Sequence, residues 1–307
     1  MDMSPPRRHD GPGPGCAIVM AHPDDEVLWA SSVLGTAGKV ILCFGDFPGK
    51  PVYSAGRRRA VARLPLPGLD ALQIEESAAA GTAAWPLPEE IPEGLAPRRL
   101  PFGLDGPLRR AYADNFARLC TALEARLAGV AEVVTHNPWG EYGHEDHVQV
   151  FRAVKALQPK LGFRLWVSGY VGDRALGLMQ RNLDTLGPPT PARPTDPALG
   201  DRLRRIYMEN GCWSWPDDYV WPEEEWFYPV LSADTSADEA AEDGSYQVRP
   251  VWINMIHTGW TPESGSRHLL RCVLRSLKMR AVQRIPSLGP RLERMDYARS
   301  VRRMRHH

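Results

Sequence analysis

The chain has 307 residues, 43% of them hydrophobic, which is enough for a substantial core in one large or two small domains. Lys plus Arg and Asp plus Glu both number 37, so the net charge gives no reason to expect nucleic acid or an acidic polymer as a partner. The cysteines, Cys16, Cys43, Cys120, Cys212 and Cys272, are odd in number and widely spaced, which excludes a CxxC knuckle or redox motif and reads as buried thiols.

Residues 1–14 read as a flexible leader, rich in Pro and Gly, carrying Arg7 and Arg8 and lacking the apolar core of a signal peptide. No apolar run approaches the ~20 residues that cross a bilayer, so a cytoplasmic protein is expected. Residues 15–307 are expected to form a single α/β hydrolytic domain, with a catalytic core over about 15–172 and a C-terminal elaboration over about 187–307.

Residues 16–20 read as a buried strand and residues 25–36 as a helix with an acidic first turn, suited to the positive end of its dipole. Residues 39–44 give the next parallel strand. The stretch 64–107, broken by eight prolines, predicts long loops with one helical piece near 69–85. Apolar Phe116, Leu119, Leu123 and Leu127 place a helix over 112–127, and residues 132–135 resume a strand that delivers His136. Residues 148–157 read as a helix, 164–171 as a strand and 173–186 as a helix. The alternation implies a mostly parallel sheet covered on both faces.

Beyond it, residues 187–200 are Pro-rich and read as a linking loop before a helix over 201–209. Trp213, Trp215, Trp221 and Trp226 among prolines and acids read as an aromatic cover over the core, with stacking on a sugar as the alternative. Residues 233–244 are small, acidic and expected to be mobile; the tail from Arg267 onward is Arg-rich and partly helical and reads as a solvated face, with an anion-binding patch as the alternative; His257 reads as a structural histidine, with a place in the pocket as the alternative.

The chemistry gathers in two clusters. His22-Pro23-Asp24-Asp25-Glu26 follows the first strand, and Gly143-His144-Glu145-Asp146-His147 follows the strand at 132–135; both fall on the carboxyl edge of a parallel sheet, where open α/β folds hold ligands. A hydrolytic zinc needs roughly three His or carboxylate ligands and one place for water. His22, Asp25 three positions later, and His147 meet that need. Asp24 and Asp25 are adjacent, so their side chains diverge; Asp25 is assigned to the metal and Asp24 to the water as general base. Glu26 structures the helix start. His144 is placed to act on the substrate, Asp146 is the neighbouring carboxylate that would keep it protonated, and Tyr142 can add a hydrogen bond to the same oxyanion.

The stretches Ala21-His22-Pro23-Asp24-Asp25-Glu26 and Gly140-Glu141-Tyr142-Gly143-His144-Glu145-Asp146-His147 closely resemble the LmbE-like family, which includes the N-acetylglucosaminyl-phosphatidylinositol de-N-acetylases and the mycothiol-pathway deacetylases. The resemblance extends over about residues 14–172. It implies a zinc-dependent amide hydrolase on a Rossmann-like sheet, with His22, Asp25 and His147 as zinc ligands, Asp24 as base, His144 supporting the tetrahedral intermediate, Asp146 orienting His144 and Tyr142 polarising the carbonyl. Two positions depart from the family. Residues 72–77 lack the Arg that contacts the sugar, leaving Arg57, Arg58 or Arg59 as substitutes in a run that otherwise reads as solvated surface, and Glu145 stands where proline is common. The expected substrate is a small N-acylated aminosugar or glycoconjugate. The alternatives are an amidase acting on a non-sugar conjugate and a non-catalytic metal-binding scaffold.

Overall fold

Ala17–Met20 (β1) is wholly apolar and buried at every position, as a strand is when both faces of its sheet are covered. The computed structural model describes residues 10–232, 249–253, 266–285 and 287–295. After β1 come α1 (Asp25–Trp29), α2 (Ser31–Leu34), β2 (Lys39–Asp46), α3 (Pro51–Val61), β3 (Leu69–Glu75), the short β4 (Glu90–Ile91) and β5 (Gly94–Leu95), and α4 (Gly106–Leu127). Then follow β6 (Glu132–Thr135), the single turn α5 (Gly140–Gly143), α6 (Glu145–Leu161), β7 (Arg164–Ser168), β8 (Tyr170–Val171) and α7 (Leu176–Asn182). The remainder holds β9 (Arg193–Pro194), α8 (Pro197–Glu209), β10 (Glu224–Glu225), β11 (Phe227–Pro229), β12 (Val251–Trp252) and α9 (Ser266–Arg284).

The main sheet runs β3-β2-β1-β6-β7-β11, parallel except for β11, which returns antiparallel on β7. This is the Rossmann-like, mostly parallel α/β sheet expected from the alternation of elements. Side chains of β1 alternate between two cores: Ala17 and Val19 join Ile41, Val133 and Leu165, whereas Ile18 and Met20 join Val40, Leu42, Val134 and Trp166. Leu119, Leu123 and Leu127 of α4 with Phe151 and Val154 of α6 cover the first face, and Val27, Leu28 and Val33 of α1 and α2 with Leu199, Leu203 and Tyr207 of α8 cover the second. Strand order reverses between β1 and β6. The loops leaving these strands diverge there and open a crevice.

Residues 69–85 contain no helix, contrary to the helical piece expected there. They begin with β3, paired parallel to β2. Gly68 at φ +63° lies so close to the Gly38 carbonyl that a Cβ would stand 2.5 Å from that oxygen, and this approach delivers the chain alongside β2. Pairing with the open edge of β2 satisfies this segment's backbone and outweighs local helix propensity.

The helix expected over 25–36 breaks at Ala30, at φ −141° and ψ 30°, into α1 and α2. The break frees the Ser32 N–H, which donates to Glu225 Oε1 at 2.6 Å, and Ser31 Oγ accepts the Asp196 N–H at 3.1 Å. Residues 173–186 resolve into α7 flanked by two short 3-10 turns. The loop expected over 187–200 contains β9 and the start of α8, whose first turn is capped by Asp196 Oδ1 accepting the Leu199 N–H at 2.9 Å. Residues 233–244, His257 and the first nine residues of the leader lie outside the described residues.

Candidate metal and catalytic site

β1 leads through Ala21 to His22, and β6 leads to His136, so each side of the crevice carries a histidine at its strand end. His136 Nε2 accepts the Ala21 N–H at 2.8 Å and ties the two strand ends together. With Nε2 an acceptor, its ring proton sits on Nδ1, 3.0 Å from Glu141 Oε2. The same oxygen meets His147 Nδ1 at 2.6 Å, and Glu141 Oε1 accepts the Asn137 N–H at 3.1 Å. Glu141 has φ 53° and ψ −77°, left-handed backbone that costs a non-glycine residue about 1–3 kcal/mol. Burial would raise its carboxyl, but His136 and His147 hold it at about 2.

Asp25 opens α1. Its Oδ1 accepts the Trp29 Nε1–H at 3.0 Å, and its Oδ2 accepts the His22 N–H at 2.7 Å while lying 3.1 Å from His22 Nδ1 and 3.3 Å from His147 Nε2. His147 is fully buried, and with Nδ1 given to Glu141 its Nε2 is left without a hydrogen-bond partner. A ring nitrogen and a carboxylate facing each other in a dry interior need a positive charge between them, either a proton on the imidazole or a cation. Nitrogens of His22, His144 and His147 lie within 4.8 Å of one another, as do donors from Asp25, His136 and His147. His136 Nε2 already serves the Ala21 amide. A third group, His22, Glu76 and Asp146, is equally close, and the set expected from the sequence to hold a metal, His22, Asp25 and His147, draws on the first two groups without being one of them.

The charges fit that role. Burial opposes protonation of His22 and His147, yet Glu76 and Asp25 lift His22 to about 10, and Asp25 with Glu141 lifts His147 to about 9. Asp25 is held well below the usual carboxylate range, against its burial, by His147 and His22.

Asp24 precedes α1 in left-handed backbone at φ 107°. Its Oδ2 accepts the Ser214 Oγ–H at 2.6 Å, and burial together with the Asp25 charge raises its carboxyl to about 7. His144 caps α6, its Nδ1 accepting the Asp146 N–H at 3.3 Å, which leaves the ring proton on Nε2. Burial, then His147 and His22, hold this imidazole well below its ordinary value. Its ring stacks on His147 at 4.5 Å.

The Asp146 carboxylate was expected to orient His144 and does not reach it. Asp146 Oδ2 lies 3.4 Å from His22 Nε2, and its Oδ1 has no hydrogen-bond partner. Positions two apart on a helix diverge by about 200° around its axis, so the cap ring and this carboxylate face different ways. His144 is thus a neutral donor through Nε2 rather than a carboxylate-supported imidazolium. The Tyr142 ring stands edge-on to His144 at 5.7 Å and to His147 at 5.4 Å.

Neighbouring acids of the two motifs brace the frame. Glu26 Oε1 accepts the Tyr207 hydroxyl at 2.6 Å, and its Oε2 accepts the Asp24 N–H at 3.1 Å, at the helix start where it was expected to act. Glu145 takes the Gly81 and Ala83 N–H groups at 2.6 and 2.8 Å, fastening part of the Pro-rich stretch above the site.

His22, Asp24, Asp25, Tyr142 and His144 line a cleft of about 580 Å³, a size typical of small-molecule sites, with Phe47, Tyr53 and Trp215 as aromatic walls. Arg57 lines it too. The arginine run is not all solvated: Arg58 and Arg59 are exposed, whereas Arg57 falls on the buried face of α3 and donates through Nη1 to Glu76 Oε1 at 2.6 Å. The Trp stretch divides similarly. Trp221 covers the core, donating to the Val27 carbonyl at 2.8 Å, while Trp215 faces the cleft and packs edge-on against Tyr142 at 5.6 Å.

No protein-family model and no curated protein matches the sequence. Among solved structures, the chain is similar to a deacetylase–teicoplanin complex from the teicoplanin biosynthesis pathway, at 14% identity and TM-score 0.46 over 72% of this chain and 99% of that one. It is also similar to the A40926 pseudoaglycone deacetylase, at 14% identity and TM-score 0.45 over 75% of this chain and 100% of that one. A third is the zinc-inhibited form of teicoplanin deacetylase, at 13% identity and TM-score 0.46 over 72% of this chain and 99% of that one.

Proposed function

We propose that this chain is a zinc-dependent hydrolase that removes an N-acyl group, acetyl foremost, from the amine of a small aminosugar-bearing conjugate. The observation that supports it most is the buried His147 Nε2, which faces Asp25 with no hydrogen-bond partner while Glu141 fixes the opposite side of the ring. Two imidazoles and one carboxylate suit Zn2+ and leave a coordination position for water. Once bound, the ion supplies Lewis acidity, polarising a carbonyl oxygen and making water easier to deprotonate.

The chain's own groups divide the remaining work. Asp24, raised to about 7, accepts a proton from the attacking water near neutral pH and returns it to the departing amine. The Ser214 hydroxyl on Asp24 Oδ2 holds that carboxylate in place. His144 Nε2–H and the Tyr142 hydroxyl donate to the oxygen on which charge develops. Trp215, Phe47 and Tyr53 offer flat apolar surface to a sugar or other ring, and Arg57, the buried member of the arginine run, is the candidate substitute for the sugar-contacting arginine absent from residues 72–77.

Zinc-loaded protein incubated with a panel of N-acetylated aminosugar derivatives is expected to produce primary amine and acetate. Release from a larger amide but from none of the sugars would remove the sugar and keep the hydrolase. Stoichiometric zinc in a His147→Ala variant would remove the proposed ligand set.

A further inference from the structure

We propose that the C-terminal helical segment is a membrane-docking surface that seats the protein on an anionic lipid bilayer. The chain is neutral as a whole but not evenly so. Eight of its 37 basic residues and one of its 37 acidic residues lie in the described stretches 266–285 and 287–295, a net charge of +7 on a remainder of −7.

One side of this segment is fastened to the body. Cys272 and Ser276 of α9 are buried, and Ser276 Oγ donates to the Leu104 carbonyl at 2.7 Å. Further along, Glu293 accepts the Val52 and Tyr53 N–H groups, each at 3.0 Å, at the start of α3. The other side faces outward. Leu270, Leu274 and Leu277 are 59%, 56% and 47% exposed, and their spacing of four and three puts them in one stripe along α9. Ile285, 52% exposed, continues it. By the helical period Arg284 flanks that stripe, and Arg284, Arg291 and Arg294 are exposed, whereas Lys278 lines the cleft. Two residues before Leu104, which Ser276 fastens to α9, Phe102 is 99% exposed on the turn Pro101–Gly103.

A row of leucines turned to water on a basic segment has a specific complement: acyl chains for the leucines and phenylalanine, with anionic headgroups for the flanking cations. Nucleic acid would use the cations and leave the leucines wet. A second copy would bring a like charge of +7 against the first. The bilayer satisfies both features, and no helix among the described residues is long and apolar enough to cross it, so the contact is peripheral.

The test is co-sedimentation of the full chain with vesicles of phosphatidylcholine alone and of phosphatidylcholine mixed with phosphatidylserine. Binding is expected to the mixed vesicles, to weaken as salt is added, and to fall about tenfold or more in the triple variant Leu270→Ser, Leu274→Ser, Leu277→Ser. These leucines are exposed, so the variant keeps the parent's unfolding midpoint; Phe102→Ser provides an independent second variant with the same expected direction. Equal binding to both vesicle types would overturn the proposal, as would undiminished binding by the variants. Capture of duplex DNA or self-association in place of vesicle binding would also overturn it.

Discussion

Asp24 and Glu141 are the two acids of the site whose backbones are left-handed, and both are held there by bonds to other parts of the chain. Asp24→Ala removes the proposed proton acceptor and none of the cation's donors. Turnover is expected to fall about 100- to 10,000-fold while zinc content, read by atomic absorption, stays near that of the parent. Glu141→Gln keeps the size of the side chain but loses the charge that orients His147 and His136. Its zinc affinity, measured by competition with a chelator, should drop about 10- to 100-fold. Both residues stand in the motifs, yet only Asp24 was readable there, because the role of Glu141 depends on His136 arriving from another strand. Arg57 was hidden for a related reason: three consecutive arginines look alike in sequence, and only the helical period of α3 separates the buried one from its neighbours. Ser214 left no local sign, since its partner lies 190 residues away.

At the scale of elements, β1, β2 and β6 were legible because β-branched and apolar residues run unbroken between Gly and Pro signals. β3 was not, because its residues alternate only weakly and its strand state comes from the free edge of β2. The break between α1 and α2 was equally invisible, since it serves a carboxylate far along the chain. That carboxylate, Glu225, accepts from Ser32 at 2.6 Å and from the Tyr170 hydroxyl at 2.8 Å, and burial raises it above the ordinary 4.5. A buried acid raised on folding favours the native state below 4.5 and loses that contribution as pH climbs through its folded value. Glu225→Gln cannot ionise. Its urea midpoint relative to the parent is therefore expected to improve steadily as pH rises above 4.5, and a pH-independent difference would remove Glu225 as the titrating group.

For the molecule as a whole, the proposed cation would close a cluster that draws on loops after both β1 and β6. Binding to the folded chain alone stabilises it by about 2.7 kcal/mol at a free concentration one hundred times Kd. Calorimetry should show the melting temperature rising with added zinc and returning on chelation. The His147→Ala variant should show neither shift. The overall architecture was readable from the alternation of strands and helices, whereas the way residues beyond 187 wrap back onto α1 and α2 was not, because Pro- and Trp-rich connections carry no period.

The hydroxyl of Ser214 joins a segment far along the chain to the acid beside the candidate metal cluster. Grafting the two short motifs into another scaffold would carry over the cation's binding groups and leave behind the clasp on the proton acceptor. Such a chimera would be a good zinc protein and a poor enzyme until the distal strap came with it.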